Sequence, residues 1–442
     1  MLSVDFCQSF IADFHERELP QLTPRDLTIS YLPRKATSLI GVRRSGKTFY
    51  LYQLMHDLLK TGVDKTQFLF IDFEDERLGS LSATDLQTFV IAHKNLYPHL
   101  SDRQLYLFLD EVQNVENWEQ FVRRMQETER AQVFITGSSA KLLSKEIATS
   151  LRGRTLTYEV FPFSFHEYLT HFGLSTHSKS QANQAKITHA MATYLKHGGF
   201  PETLGQTEEI FRLILQEYLN LIIYRDLIER HRIHNPKLIK LFIHTLLRNI
   251  AAPLSINKLH RDFTSQGYTL SKDTLHLYLS YLEEAYAFFT VELFSESIRA
   301  QQDNYRKIYV IDTGFVTANI FGISEKRGAL LENTVFLALR RLPGGRLHYY
   351  RTKTQQEVDF IWTERGDIRA LIQVSETLAD HNTRTRELEG LSQAMDELEQ
   401  RHAWIISLHE SSTVSLGKKT ITMVPIAEFC SDPSRFLNQE KS

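Results

Sequence analysis

Eight residues constrain this chain more than any others. Gly41-Val-Arg-Arg-Ser-Gly46-Lys47-Thr48 has the spacing GxxxxGK[ST], with an apolar run, Thr37–Ile40, before it and a helical pattern after it. Glycines at those two positions let the backbone turn tightly enough for successive N–H groups to face phosphate oxygens. The helix that follows aims its positive end at the same place. Lys47 is placed to neutralise charge on the β- and γ-phosphates and Thr48 to hold Mg²⁺. Gly41, Arg43, Arg44, Ser45, Gly46 and the adjoining Phe49 complete the candidate nucleotide contacts. A chance match in a strand–turn–helix is the competing reading, and it weakens once the second half of such a site is found.

That half is Leu105-Tyr-Leu-Phe-Leu109-Asp110-Glu111, an apolar strand ending in two acids. A buried strand holds Asp110 rigidly beside a metal. Glu111 suits a general base that polarises an attacking water. The acids could equally cap the next helix. A further strand, Val133–Thr136, runs into Ser138 and Ser139. Ser138, with Thr136 as second choice, is the candidate sensor of the γ-phosphate, and N-capping is the alternative. Arg152 and Arg154 follow. They are either an arginine finger, which would serve a neighbouring copy and so require a homo-oligomer such as a hexameric ring, or solvated surface residues.

Around these motifs, short β-rich runs (Thr37–Ile40, Phe68–Phe73, Leu105–Leu109, Val133–Thr136, Leu156–Val160) alternate with amphipathic stretches. Such alternation predicts a parallel sheet covered on both faces. Trp118, Phe121, Val122 and Met125 mark one covering helix by their i, i+3, i+4, i+7 spacing. The chain of 442 residues is long enough for roughly two to four domains. We divide it into a P-loop core at 1–163, a helical lid at 164–235, a winged helix at 236–313 and a small α/β unit at 314–442. Gly198-Gly199-Phe200-Pro201 breaks the lid. The winged helix follows from three helical segments and a β-like pair. Its last helix starts after Ser271, an N-cap, with Leu275, Tyr278, Leu279 and Leu282 facing inward.

The formal charge is −2, which excludes a histone-like polycation and an acidic tail but not a local basic patch. Cys7 and Cys430 are the only cysteines, so a disulfide framework or a structural zinc site is not expected and a reducing cytosol is. The first residues lack the pattern of a signal peptide. No stretch approaches the roughly 20 apolar residues that span a bilayer. The expectation is a cytoplasmic protein with no membrane partner.

"LIGVRRSGKT", "DFEDERL", "LFLDEVQNVENWEQFVRRM", "ITGSSAKLLSKEIATSLRGRT" and "FPFSFHEYL", in that order, closely resemble one group of bacterial and archaeal AAA+-type ATPases. The resemblance implies ATP binding, an ATPase core and a C-terminal half that ends in a restriction-endonuclease-like domain. "GGFPE" and "EVDFI" match that half. The fold class expected is therefore α/β: a parallel-sheet P-loop ATPase core with helical lid, then a winged helix and a small restriction-endonuclease-like domain. The same match suggests that Glu74 lies near the nucleotide, although an exposed turn acid reads equally well.

Nucleases of that fold need two carboxylates on Mg²⁺ and a lysine beside the attacking water. Glu332 and Asp359 occupy the acid positions, but the third element reads Gln373-Val374-Ser375. Gln lacks charge, Ser375 cannot supply the cation, and Lys353 is the nearest substitute. A scaffold that binds without cutting fits this pattern better than an active nuclease. Arg340 to Lys353 is basic, free of acids and interleaved with aromatics, which suits phosphate contacts or a guarded hairpin edge. Against DNA contact, the helix Lys272–Phe289 carries Asp273, Glu283 and Glu284, which repel phosphates. Arg299, Arg306 and Lys307 on the ribbon keep a backbone contact open. The expected activities, in order, are an ATPase that remodels duplex or branched DNA, a nucleotide-driven switch for a protein partner, and an ATP-gated metal-dependent nuclease.

Overall fold

A computed structural model describes residues 2–32, 34–129, 131–137, 153–176, 178, 180–295, 306–320, 322 and 326–437. Ser138, Ser139, Arg152 and Arg299 lie outside the described residues. The chain divides into two compact units, Met1–Phe161 and Pro162–Ser442.

The first unit is built on five parallel strands: β1 (Ala36–Ile40), β2 (Phe68–Asp72), β3 (Leu105–Asp110), β4 (Ala131–Gly137) and β5 (Thr155–Glu159). Their order across the sheet is β2-β3-β4-β1-β5. Parallel strands are covered on both faces, so they read as continuous apolar runs rather than alternations. Leu39, Phe68, Phe70, Phe108 and Phe134 pack on Tyr50, Leu51, Leu54 and Met55 of helix α2 (Lys47–Lys60). Phe108 and Phe134 stack at 4.8 Å between centroids. Burying a side chain of this size contributes about 1.5–3 kcal/mol. Helices α1 (Val4–Glu16) and α3 (Ala83–Leu96) meet through Phe10 and Phe89. On α4 (Trp118–Thr128), Trp118, Phe121, Val122 and Met125 form the buried face that their spacing predicts.

The second unit opens with helices α5 (Phe165–His171), α6 (Gln181–His197) and α7 (Glu208–Leu221), the last running on as a π-helix over Ile222–Glu229. Next come α8 (Pro236–Arg248), a two-residue strand at Pro253–Leu254, α9 (Ile256–Ser265), α10 (Lys272–Glu284) and a hairpin of β6 (Phe288–Leu293) and β7 (Arg306–Val310). Ser271 caps α10 by accepting from the Thr274 N–H at 3.1 Å, and Leu275, Tyr278, Leu279 and Leu282 are buried. Two helices follow, α11 (Thr313–Asn319) and α12 (Arg327–Arg340). The remainder is β8 (Gly345–Arg351), β9 (Glu357–Glu364), β10 (Asp367–Val374), α13 (His381–Glu397), β11 (His402–Ser407), β12 (Ser412–Leu416), β13 (Lys419–Pro425) and α14 (Ile426–Ser431).

One mixed sheet of nine strands runs through this unit in the order β12-β13-β11-β10-β9-β8-β6-β7, ending at Pro253–Leu254. It crosses the 313/314 division drawn from the sequence, because β6 pairs in parallel with β8 through Glu292 with His348 and Leu293 with Tyr349. All three divisions drawn after residue 163 fall inside this unit. Among the described residues, no helix is long and apolar enough to cross a membrane.

Candidate active site

The phosphate-type loop joins β1 to α2 in the first unit. Gly41 has φ of 144° and lies so close to the chain that an added Cβ would stand 2.2 Å from the Val160 carbonyl oxygen. Gly46 has φ of 96° and caps α2. Both glycines are thus required by local geometry, one by contact and the other by a left-handed turn. Ser45 is buried, and its Oγ has no hydrogen-bond partner. Lys47 is buried, and its Nζ donates to the carbonyls of Gly41 and Val42 at 3.2 and 3.1 Å. Arg44 and Phe49 are exposed beside it.

The carboxylates arrive on β3. Asp110 is buried and accepts from Thr48 Oγ1 at 2.6 Å and from Thr136 Oγ1. Burial pushes its carboxyl up to about 6, and the two hydroxyls oppose the shift. Glu111 has φ of 52° and is held from two sides. Its N–H donates to Thr136 Oγ1 at 2.9 Å, and Gln113 Nε2 donates to its Oε2 at 2.5 Å. Glu111 Oε1 is 3.9 Å from Lys47 Nζ. The loop lysine, Thr48 and both acids therefore meet at the C-terminal edge of the sheet, where open α/β sheets bind ligands.

Gln113 and Arg25 carry no sequence signal for the parts they play here. Thr136, second choice to Ser138 as the γ-phosphate sensor, donates its hydroxyl to Asp110 and accepts from the Glu111 N–H. Gln113 has no pattern that marks it. Arg25 donates to the Ser45 carbonyl at 2.9 Å and to the Phe161 carbonyl, and its own N–H donates to Gln53 Oε1 at 2.8 Å. It lies in an irregular stretch where periodicity offers no signal. Glu74 is exposed and pairs with Arg43 at 3.7 Å, its carboxyl pushed up by partial burial and then by Glu111. Arg154 pairs with Glu127 of the same chain on an exposed face. Replacing Thr136 with Val should lower turnover at least tenfold, with KM little changed. It should also lower the melting temperature, because a charged hydrogen bond worth about 1.5–3 kcal/mol is lost. Steady-state ATPase and thermal denaturation measure both, and an unchanged rate would remove Thr136 from the site.

A second cluster of charged residues lies in the second unit. Glu332 on α12, Asp359 on β9 and Gln373 on β10 are brought together. Lys353 is not among them: it is exposed, and its N–H donates to Glu397 at 3.1 Å. The lysine that enters is Lys307 of β7, only 1% exposed, 2.8 Å from each of Glu332 Oε1, Glu357 Oε1 and Asp359 Oδ1. Sequence spacing hides it because it stands 52 residues from Asp359. Arg306 pairs with Glu292 at 2.9 Å and Arg351 with Glu357 at 3.3 Å. Arg341 donates to the Pro162 carbonyl at 2.9 Å. Arg225 is exposed on the π-helix.

Sheet order, loop and paired acids define the first unit as an AAA-type P-loop ATPase domain, and a family profile described as an AAA domain matches residues 33–169. Two profiles described as domains of unknown function, DUF8612 and DUF4143, match residues 188–327 and 327–429. The chain belongs to the family of uncharacterized protein MJ1544 of Methanocaldococcus jannaschii, to which it is 37% identical over 382 residues, covering 85% of this chain and 82% of that one. An uncharacterized protein of Haemophilus influenzae is 28% identical over 354 residues, covering 79% of this chain and 84% of its own. Among solved structures, Cdc6p from Pyrobaculum aerophilum aligns with a TM-score of 0.26 at 14% identity, over 68% of this chain and 87% of that one. PCH-2 of C. elegans aligns at 0.27 and 12%, over 50% and 67%.

Proposed function

We propose that this chain hydrolyses ATP in its first unit and uses the cycle to act on duplex or branched DNA. The observation that carries the hydrolytic reading is the convergence of Lys47, Thr48, Asp110 and Glu111, with the orphaned Ser45 Oγ inside the same loop. Thr48 and Asp110 offer adjacent hard oxygens and are the residues that would hold Mg²⁺, which when bound supplies positive charge to the terminal phosphates. Lys47 and the amides of Gly41 to Thr48 bind and orient those phosphates. Glu111 takes a proton from the attacking water, and Thr136 and Gln113 hold its backbone and carboxylate for that task. Arg152 and Arg154 remain candidates for a finger acting between copies of the chain in a homo-oligomer, for instance a hexamer.

Support for DNA as the target is the order helix, strand, two helices and hairpin from Pro236 to Val310, which suits a winged helix, next to acids placed as in a restriction-endonuclease-like fold. A specific observation favours a second reading, a nucleotide-driven switch for a protein partner: Arg306 and Lys307 of the hairpin are already paired within the chain. Steady-state ATPase assays with duplex, forked and single-stranded DNA separate the two. Stimulation several-fold by one DNA shape is expected. Equal rates, with no gel shift at low salt, would leave the switch.

A further inference from the structure

Four ionisable side chains meet in the second unit: Lys307 of β7, Glu332 of α12, and Glu357 and Asp359 of β9. An ammonium has three N–H donors and no acceptor. Three carboxylate oxygens stand 2.8 Å from Nζ; those of Glu332 and Asp359 accept hydrogen bonds from it, and that of Glu357 pairs with its charge. Burial opposes the charge on Lys307, yet Asp359 and the other neighbours hold its ammonium well above the usual lysine range. Tyr309, stacked on Phe336, donates to Glu332 Oε1 at 2.7 Å. The second oxygen of Asp359 accepts from the Val374 N–H at 2.9 Å. The side chain that would complete a metal site is also committed: Gln373 Oε1 accepts from the Asp359 N–H at 3.2 Å, and its Nε2 donates to Glu387 at 2.8 Å.

Oxygens converging in this way are ligands for a hard cation, and Mg²⁺ would draw them to about 2.0–2.1 Å from a point that Nζ already fills. Among the described residues, no group of three or more His, Cys, Asp or Glu side chains is arranged to hold a metal ion. We infer that Lys307 is the resident cation of this acid cluster, so that the C-terminal half binds no divalent metal there and cleaves no phosphodiester. The cluster instead ties β7 to β9 of the same sheet and to α12. This inference concerns the second unit alone and stands whether or not the first unit acts on DNA.

The test is an Mn²⁺ titration of full-length, nucleotide-free protein read by electron paramagnetic resonance. Wild type, Asp359→Asn and the shape-conserving Glu332→Gln should bind Mn²⁺ equally, and wild type should leave supercoiled plasmid intact in Mg²⁺ or Mn²⁺. Lys307→Ala strands three carboxylates and should melt lower by on the order of 10 °C, with partial recovery in millimolar Mn²⁺. A wild-type Mn²⁺ site that disappears in Asp359→Asn or Glu332→Gln overturns the inference, as does nicking lost in either variant. A folded Lys307→Ala that Mn²⁺ does not stabilise overturns it too. Should that variant be insoluble, the wild-type comparison decides alone.

Discussion

Glu111→Gln should retain nucleotide and lose turnover by about 10²–10⁴-fold, the usual contribution of a positioned general base. The substitution keeps the side chain's length and its place beside Gln113, and it leaves the left-handed backbone at φ of 52° free to form as before. Only the charge and the basicity go. Lys47, 3.9 Å away, keeps its two bonds to loop carbonyls and remains available to phosphate. Equilibrium binding of a labelled adenine nucleotide, together with single-turnover hydrolysis, separates the two effects. A rate equal to wild type would assign the base elsewhere. Loss of binding would mean that Glu111 shapes the loop rather than the chemistry.

The second large effect concerns stability and lies far from the nucleotide. Gly198 ends α6 with φ of 72°, and a Cβ there would stand 1.7 Å from Asp312 Oδ1. Asp312 cannot retreat, because it is buried and accepts from the Gly199 N–H at 2.7 Å and the Gly314 N–H at 2.8 Å. Gly198→Ala combines backbone strain with overpacking, and the two should cost about 4 kcal/mol or more. That corresponds to a fall of on the order of 10 °C in melting temperature. The same carboxyl gives a pH signature. Burial pushes Asp312 up to about 7 against the opposing pull of the two N–H groups. The folded state therefore holds a proton that the unfolded chain releases near pH 3.8. This stabilisation is complete below about pH 4 and is lost as pH rises toward 7. Melting curves of wild type and Asp312→Asn across that range should show the wild-type advantage shrinking with pH. A constant difference would mean that Asp312 is ionised throughout.

The contrast between these regions shows what a linear sequence can convey. The loop from Gly41 to Thr48 and the acids at Asp110 and Glu111 were legible because local spacing dictates their chemistry. Strands β2, β3 and β4 were legible because buried strands are written as largely apolar runs, whereas β5, TLTYE, is only partly buried and carries a weaker signal. Gly198-Gly199 was visible as a break, but its reason is the Asp312 carboxyl group more than a hundred residues away. Lys307 read as a surface ribbon cation, since nothing near it in the chain announces three acids. The hairpin of β12 and β13 was missed as well. Ser412–Leu416 is mostly exposed and polar, so neither apolar alternation nor an apolar run marks it. Thr136 stood second to Ser138 as a γ-phosphate sensor, and its bond to Asp110 is not legible in the sequence, because a hydroxyl at a strand end looks the same whether it faces a ligand or a neighbouring acid.

Among the described residues, the parallel junction of β6 with β8 comprises two residue pairs, Glu292 with His348 and Leu293 with Tyr349. Across it, the Phe294 N–H reaches the Tyr349 carbonyl at 2.7 Å. This junction does not stand alone: Lys307 of β7 bonds to Asp359 of β9, and Asn333 of α12 exchanges two hydrogen bonds with the Val310 backbone of β7. Partners some fifty residues apart thus close the joint together, so a truncation at a boundary drawn from the sequence would strip each side of a strand edge and of the partners of buried polar groups.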